Sequence, residues 1–327
     1  MKTTRRASAF SLIEISIVIL IIGILVAGVT QSSRLLSAAK LSSARSMTQS
    51  APVSSIKNLA LWVETTSESS FQSADLDDAA QITTWKDINP QTVSKVIFTS
   101  GGAPKYKTNM INGLPAVCFN NANCGSGTTD HFTTTGFSNL TAGITVFVVI
   151  RSSDSLSVNE PIVSKRDNTL AYTAANSANF QLNLATDGSW QFCDGRAQSI
   201  NNATCVFEDS VAAPALAKNN YVASVVYNNN SDPIVNSTAG GITFFQNGEV
   251  AITNGTATTK PSSPGSTTSP LLIGRVSTNN TTVMDRYFKG YIGEIIIFDR
   301  ALKKEERQSI EDYLGKKWGI KMTKAAL

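Results

Sequence analysis

The stretch FSLIEISIVILIIGILVAGV, Phe10 to Val29, limits this chain more than any other. About 20 nearly unbroken apolar residues at 1.5 Å rise match the thickness of a bilayer core. A helix that is apolar all round does not sit on the surface of a globular domain. No proline interrupts the chain before Pro52, so the helix is expected to continue through TQSSRLLSAAKLSSARSMTQS to about Ser50. In that second half Leu35, Leu36, Ala39 and Leu41 form a sparse apolar stripe. Such a helix, residues 10–51, would be about 60 Å long, with residues 10–29 as its transmembrane part.

Two details separate this segment from a secretory signal peptide. The small residues Ala7, Ser8 and Ala9 precede the apolar run, whereas a signal-peptidase site follows it. Glu14 also lies inside the run, where a lone carboxylate at bilayer depth costs roughly 2.5–3.5 kcal/mol. Its place in the first helical turns, at the positive end of the macrodipole, offsets part of that cost. Lys2, Arg5 and Arg6 flank the run with no acid among them, which orients the N-terminus to the cytoplasm and the rest of the chain outward. Those three residues also account for most of the formal charge. The chain carries +4 from 28 basic and 24 acidic residues, and 4 − 3 leaves +1 beyond the leader. No basic stripe interleaved with aromatics remains to suggest nucleic acid.

The motif AFSLIE followed by an apolar run resembles the N-terminus of type IV pilins and type II secretion pseudopilins. The resemblance implies a leader, residues 1–9, removed by a prepilin peptidase between Ala9 and Phe10, with N-methylation of Phe10. Ala9 stands where the family usually has glycine. It further implies a periplasmic C-terminal domain on a single-pass inner-membrane helix, delivered through an inner-membrane assembly platform to a pilus, pseudopilus or the cell surface. In a stack of parallel helices, Glu14 of one subunit would pair with the freed Phe10 amine of its neighbour.

Past a short linker, residues 52–58, the character changes. Runs such as LALWVE, TWKDI, LPAVCF, ITVFVVIR, NFQLNLAT, YVASVVY and YIGEIIIF alternate with Gly-, Asn-, Ser- and Asp-rich turns. About a dozen such strands imply a mainly β, two-sheet antiparallel sandwich or jelly roll over residues 59–327. ITVFVVIR and IGEIIIF, apolar on both faces, are expected as central strands, and Asn247-Gly248 as a type I′ hairpin turn. A short C-terminal helix closes the chain, with Ile310, Tyr313, Leu314 and Trp318 on one face. Four cysteines allow three pairings. The local ones, Cys118 with Cys124 and Cys193 with Cys205, are preferred because each would staple a loop, worth about 2–3 kcal/mol.

The segments LALWVETT, MINGLPAVCF, GITVFVVIRS and the closing GYIGEIIIFDRALKKEERQSIEDYLGKKWGI resemble the concanavalin A-like, laminin G-type modules of bacterial surface proteins. That implies a jelly roll with adjacent first and last strands, and a head that binds glycan or protein. Catalytic signatures do not emerge from the spacing. His131 is the single histidine and no nucleophile elbow surrounds it, and Glu294 and Asp299 fall on opposite faces of one strand. The chain is therefore expected not to be an enzyme; a membrane-stalked carbohydrate-active enzyme is the least favoured reading. No cofactor is expected, with calcium left open by the loop oxygens of Asp87, Asn89, Asp130 and Asp285. Trp190, Asp130 and Asp285 are the expected ligand-contacting residues. The reading is a minor pilin or pseudopilin whose helix packs against other subunits and displays a lectin-like head. A non-binding cap or spacer of the filament is the alternative.

Overall fold

In the computed structural model the described residues are 11–152, 159–166, 178–186, 188–193, 207–209, 219–228, 242–250, 264–276 and 286–323. Helix α1 spans Leu12–Gln49. Its N-cap is Ser11, whose backbone N–H donates to Glu14 Oε2 at 2.8 Å, a reciprocal cap of the kind that satisfies an otherwise orphaned donor. Ser16 and Ser32 turn their hydroxyls back onto carbonyls one turn earlier, so these polar side chains need no outside partner.

The strands follow in chain order. They begin with β1 (Leu59–Glu64), β2 (Thr84–Lys86), β3 (Ile97–Gly101), β4 (Lys105–Ile111), β5 (Leu114–Phe119) and β6 (His131–Thr134). Next come β7 (Gly143–Ser152), β8 (Glu160–Arg166), β9 (Ala178–Leu184), β10 (Trp190–Cys193), β11 (Phe207–Asp209) and β12 (Asn220–Asn228). The last are β13 (Ile242–Gln246), β14 (Glu249–Val250), β15 (Leu271–Ile273), β16 (Arg275–Val276), β17 (Arg286–Tyr287) and β18 (Gly290–Phe298), before helix α2 (Lys304–Trp318).

Among the described residues, two eight-stranded antiparallel sheets face each other. The first runs β14-β13-β12-β7-β18-β5-β4, with β1 also on β18; the second runs β11-β10-β9-β8-β15-β6-β3-β2. The doubly apolar strands β7 and β18 are neighbours in the middle of the first sheet, and the first and last strands pair, Leu59 opposite Phe298. Asn247 (φ 51°) and Gly248 (φ 79°) form the left-handed turn joining β13 to β14, as the Asn-Gly pair requires.

Between the sheets lies one apolar cluster, with Trp85, Phe98, Phe132, Phe180 and Ile295 wholly buried in it. A second cluster covers the outer face of the first sheet, where Ile310, Tyr313, Leu314 and Trp318 of α2 meet Trp62, Phe147 and Ile296. The outer surface of that sheet is apolar because it is a second core, which explains why β7 and β18 lack alternation. Gly293 is required here: a Cβ at that position would come within 2.6 Å of the Trp318 ring.

The last turns of α1 belong to this second cluster. Ala44 is buried, Met47 packs against the cluster, and Ala51 and Val53 are buried where residues 52–55 make a 3₁₀ turn. The segment expected as a linker is therefore a packed corner. Residues 12–26 of α1 stand clear of the sandwich, with Leu12, Ile15, Ile17, Leu20, Ile24 and Val26 each at least half exposed. The inner-membrane, single-pass placement does not hold: among the described residues, no helix is long and apolar enough to cross a membrane. The expected span starts at Phe10, outside the described residues, and Ser11, Glu14 and Ser16 interrupt its first turns.

A head fragment beginning at Pro52 is expected to be less stable than one beginning at Lys40 by about 2 kcal/mol, from lost Ala44 and Met47 burial and lost Arg45 hydrogen bonding. Thermal melts of the two fragments check this, and equal midpoints would show that α1 contributes nothing to the head.

Candidate functional site

Helix, sheet and stalk meet at a buried cluster of charge. The register of β1 on β18 sets Glu64 directly opposite Glu294, so two carboxylates share one face. Lys317, near the end of α2, lies between them with Nζ 2.9 Å from Glu64 Oε2 and 2.9 Å from Glu294 Oε2. All three side chains are inaccessible to solvent. The remaining lone pairs are filled. Glu294 accepts from Trp62 Nε1 (2.7 Å), Trp318 Nε1 (2.8 Å) and Tyr313 Oη (2.9 Å). Glu64 accepts from the Thr66 N–H and hydroxyl and from the Ser67 N–H. Burial by itself disfavours the Lys317 ammonium, but Glu294 and Glu64 outweigh it and hold the Lys317 pKa above its ordinary value. Burial, with Glu294 adding to it, raises the Tyr313 phenol in the same sense.

The cluster reaches the stalk. Thr48 of α1 lies 3.4 Å from the Tyr313 hydroxyl, and Arg45 Nε donates to the Thr66 carbonyl at 2.8 Å, beside the loop that caps Glu64. Sequence spacing paired Glu294 with Asp299 and found no acid pair. The pair that forms joins residues 230 positions apart, and it became visible only with the β1–β18 register. Asp299 instead holds a loop by accepting from the Thr141 N–H. On α2, Glu311 pairs with Arg307 at 2.5 Å, under a ring contact between Arg307 and Phe245.

The expected ligand residues fall elsewhere. Trp190 is not a surface aromatic: it is 1% exposed, its ring in the inter-sheet core and Nε1 donating to Gln246 Oε1 at 2.9 Å. Asp130 is buried and clasps two loops, accepting from the Ala103 N–H (2.7 Å) and the Asn120 N–H (2.9 Å). Asp87 Oδ1 accepts from the Trp62 and Asn89 N–H groups, while Oδ2 is buried without a partner; burial raises its pKa. Asn89 donates to the Leu59 carbonyl. No group of three or more metal-ligating His, Cys, Asp or Glu side chains occurs among the described residues. Asp285, Ala9, Phe10 and the Cys193–Cys205 pairing lie outside the described residues or side chains. A disulfide joins Cys118 to Cys124. His131 bonds the Thr129 carbonyl through Nδ1 and faces Arg275.

The face of β9 turned away from the core carries amides, and these are buried too. Asn179, Gln181 and Asn183 alternate along β9 with the core residues Phe180, Leu182 and Leu184. Gln181 Nε2 donates to Asn183 Oδ1, leaving Gln181 Oε1 buried without a partner. Between the sheets at one end, Glu160 accepts from the Lys289 N–H through Oε2 at 3.1 Å while Oε1 has no partner. Burial pushes this carboxyl up to about 7.

Residues 126–306, more than half of the chain, match the model of the concanavalin A-like lectin/glucanases superfamily, and the chain belongs to that superfamily. Among curated proteins, no relative matches the sequence. Domain 4 of an extracellular arabinanase from Geobacillus stearothermophilus superposes with a TM-score of 0.43 at 13% identity, over 78% of this chain and 98% of that one. The binding domain of a serotype D/C botulinum neurotoxin gives 0.47 at 10% identity, over 79% of this chain and 52% of that one. A Trypanosoma rangeli sialidase variant gives 0.41 at 9%, over 81% of this chain and 34% of that one. These likenesses concern the fold alone. The expectation that the chain is not an enzyme is nevertheless corrected, because the superfamily to which it belongs joins lectins to glucanases. The pilin-like reading of the N-terminus gains no support from these matches.

Two outcomes follow. Lys317→Met leaves two carboxylates buried without a counter-charge and is expected to cost about 3–5 kcal/mol, read as a lower denaturation midpoint. For Glu160 the folded pKa, about 7, lies above its ordinary value of 4.5. Its contribution to stability is thus fully present below that ordinary value and is lost as pH rises through about 7. The Glu160→Gln protein is expected to gain about 3 kcal/mol on the wild type between pH 4.5 and pH 8, because 2.5 pH units correspond to that energy. Parallel pH–stability curves of the two proteins would refute this.

Proposed function

We propose that this chain is an assembly subunit that displays a lectin-like head, with helix α1 as the element that joins it to further copies of itself. The observation that carries this reading is the exposure of an all-round apolar helix. Residues 12–26 project from a finished sandwich with large aliphatic side chains exposed on every side of the helix. Such a surface is covered in the working protein, because a contiguous apolar area of this size marks an interaction site. Identical helices from neighbouring copies offer a cover of matching chemistry.

Charge along α1 fits copies displaced along their axis. Glu14 is the one acid of the helix, while Arg34, Lys40 and Arg45 lie toward the head. A cut before Phe10 frees an amine that Glu14 of a displaced neighbour can pair with inside the bundle, and Phe10 is the residue that would be methylated. This is the subunit chemistry of a pilin or pseudopilin, for which the AFSLIE motif is the sequence support. The Arg45, Thr48 and Tyr313 contacts fix the stalk to the head, so that a bundle of α1 helices would present the sandwiches outward.

The head is read as a binding module for glycan or protein, on the strength of its superfamily. The rival role is that of a cap or spacer that binds nothing. Sedimentation velocity of the full-length chain is expected to show oligomers that dissociate on Ile17→Asp or Ile21→Asp, with the thermal midpoint of the head unchanged. A monomeric wild type, or oligomers indifferent to both substitutions, would remove α1 from assembly.

A further inference from the structure

Where α2 ends, three turns converge on a cleft of about 310 Å³. The β4–β5 turn supplies Asn112, the start of β12 supplies Asn219, Asn220 and Tyr221, the β13–β14 turn supplies Asn247, and the chain beyond α2 closes the rim with Lys321. We infer that this cleft binds a neutral, hydroxyl-rich ligand, one sugar ring of an uncharged glycan.

The lining decides the ligand class. Among the described residues, four asparagines and a tyrosine line the cleft, with no acid in the lining and Lys321 as the one cation. Without a carboxylate the described lining offers a metal ion or a cationic ligand only neutral carbonyl oxygens, a weak hold. A single exposed lysine at the rim is a poor match for a phosphate, which draws on several donors. Among the described residues Ile320 is the one aliphatic side chain of the lining, too little apolar surface for a lipid. Carboxamides both donate and accept, as hydroxyl groups do, so an amide-lined wall suits a polyol. The volume stands at the lower end for ligand sites, which suits a single ring.

The wall is pre-formed. Asn112 Nδ2 caps the end of α2, donating to the Trp318 carbonyl at 2.9 Å and to the Gly319 carbonyl at 3.0 Å. Its Oδ1 accepts from Asn220 Nδ2 at 3.0 Å. Asn247 Oδ1 accepts from the Val222 N–H at 3.0 Å, and the Asn247 carbonyl accepts from the Thr323 N–H at 2.6 Å. Asn112 (φ 49°), Asn247 (φ 51°) and Gly319 (φ 63°) all hold left-handed backbone, and the hydrogen bonds of the two asparagines fix their turns before a ligand arrives. Rigid walls reduce the ordering cost of binding. Within this framework Asn220 Oδ1 is buried and accepts nothing.

The inference rests on the lectin-like reading of the head but not on assembly through α1. Its test is saturation-transfer NMR of the full-length chain with glucose, galactose and N-acetylglucosamine as neutral probes and sialic acid as the charged one. At least one neutral sugar is expected to bind at millimolar concentration, with affinity reduced about tenfold or more by Asn219→Ala and by Asn220→Ala, which corresponds to about 1.4 kcal/mol. Asn219 is exposed, so its variant keeps the fold if Asn220→Ala does not. Neutral-sugar binding unaffected by Asn219→Ala would overturn the cleft and leave the lectin-like reading standing. Binding of sialic acid alone would overturn the ligand class. Silence from every sugar would overturn both the cleft and the lectin-like reading.

Discussion

The pairing of Lys317 with Glu64 and Glu294 is the contact on which the other parts of the molecule depend. Two carboxylates brought face to face by strand register would repel strongly in a dry interior. The ammonium that reconciles them comes from the far end of the chain. Once α2 is held there, its apolar face must lie along the first sheet, and Trp318 lands on Gly293 where no side chain could fit. Aromatic donors and backbone N–H groups complete both carboxylates, which is the condition under which a buried ion pair is tolerable.

The same cluster orients the stalk. Tyr313 touches both Glu294 and Thr48, while Arg45 reaches the loop that caps Glu64, so the last turns of α1 and the C-terminal helix are parts of one packed layer. One outer face of the sandwich is thereby closed by helices, and along β9 the face turned away from the core carries buried amides. The asparagine cleft lies at the end of α2, on the helical side, where helix carbonyls and three turns leave polar groups that no apolar packing covers. The amides of that cleft stand where secondary structure ends, apart from the charged cluster of Glu64, Glu294 and Lys317.

Periodicity made much of the fold legible. The proline-free apolar run foretold α1, the doubly apolar strands foretold the centre of the first sheet, and the 3.6-residue spacing of Ile310, Tyr313, Leu314 and Trp318 foretold the buried face of α2. These are local consequences of burial and backbone geometry. The burial of the residues expected to contact a ligand was not legible. Trp190 and Asp130 sit in turn-rich sequence that looks exposed, yet the opposing sheet buries one and two loops enclose the other. Reading an aromatic or an acid as available requires knowing what packs over it.

Sequence by itself determined that a long apolar helix precedes a β-rich domain with a helical end, because hydrophobic period and turn chemistry act over a few residues. Tertiary structure alone decided that Glu64 and Glu294 share a lysine, that α1 is clasped to the head, and that Asn112, Asn219, Asn220 and Asn247 meet around one cleft. Those residues lie far apart in the chain, and only strand register and helix docking bring their polar groups within hydrogen-bonding distance.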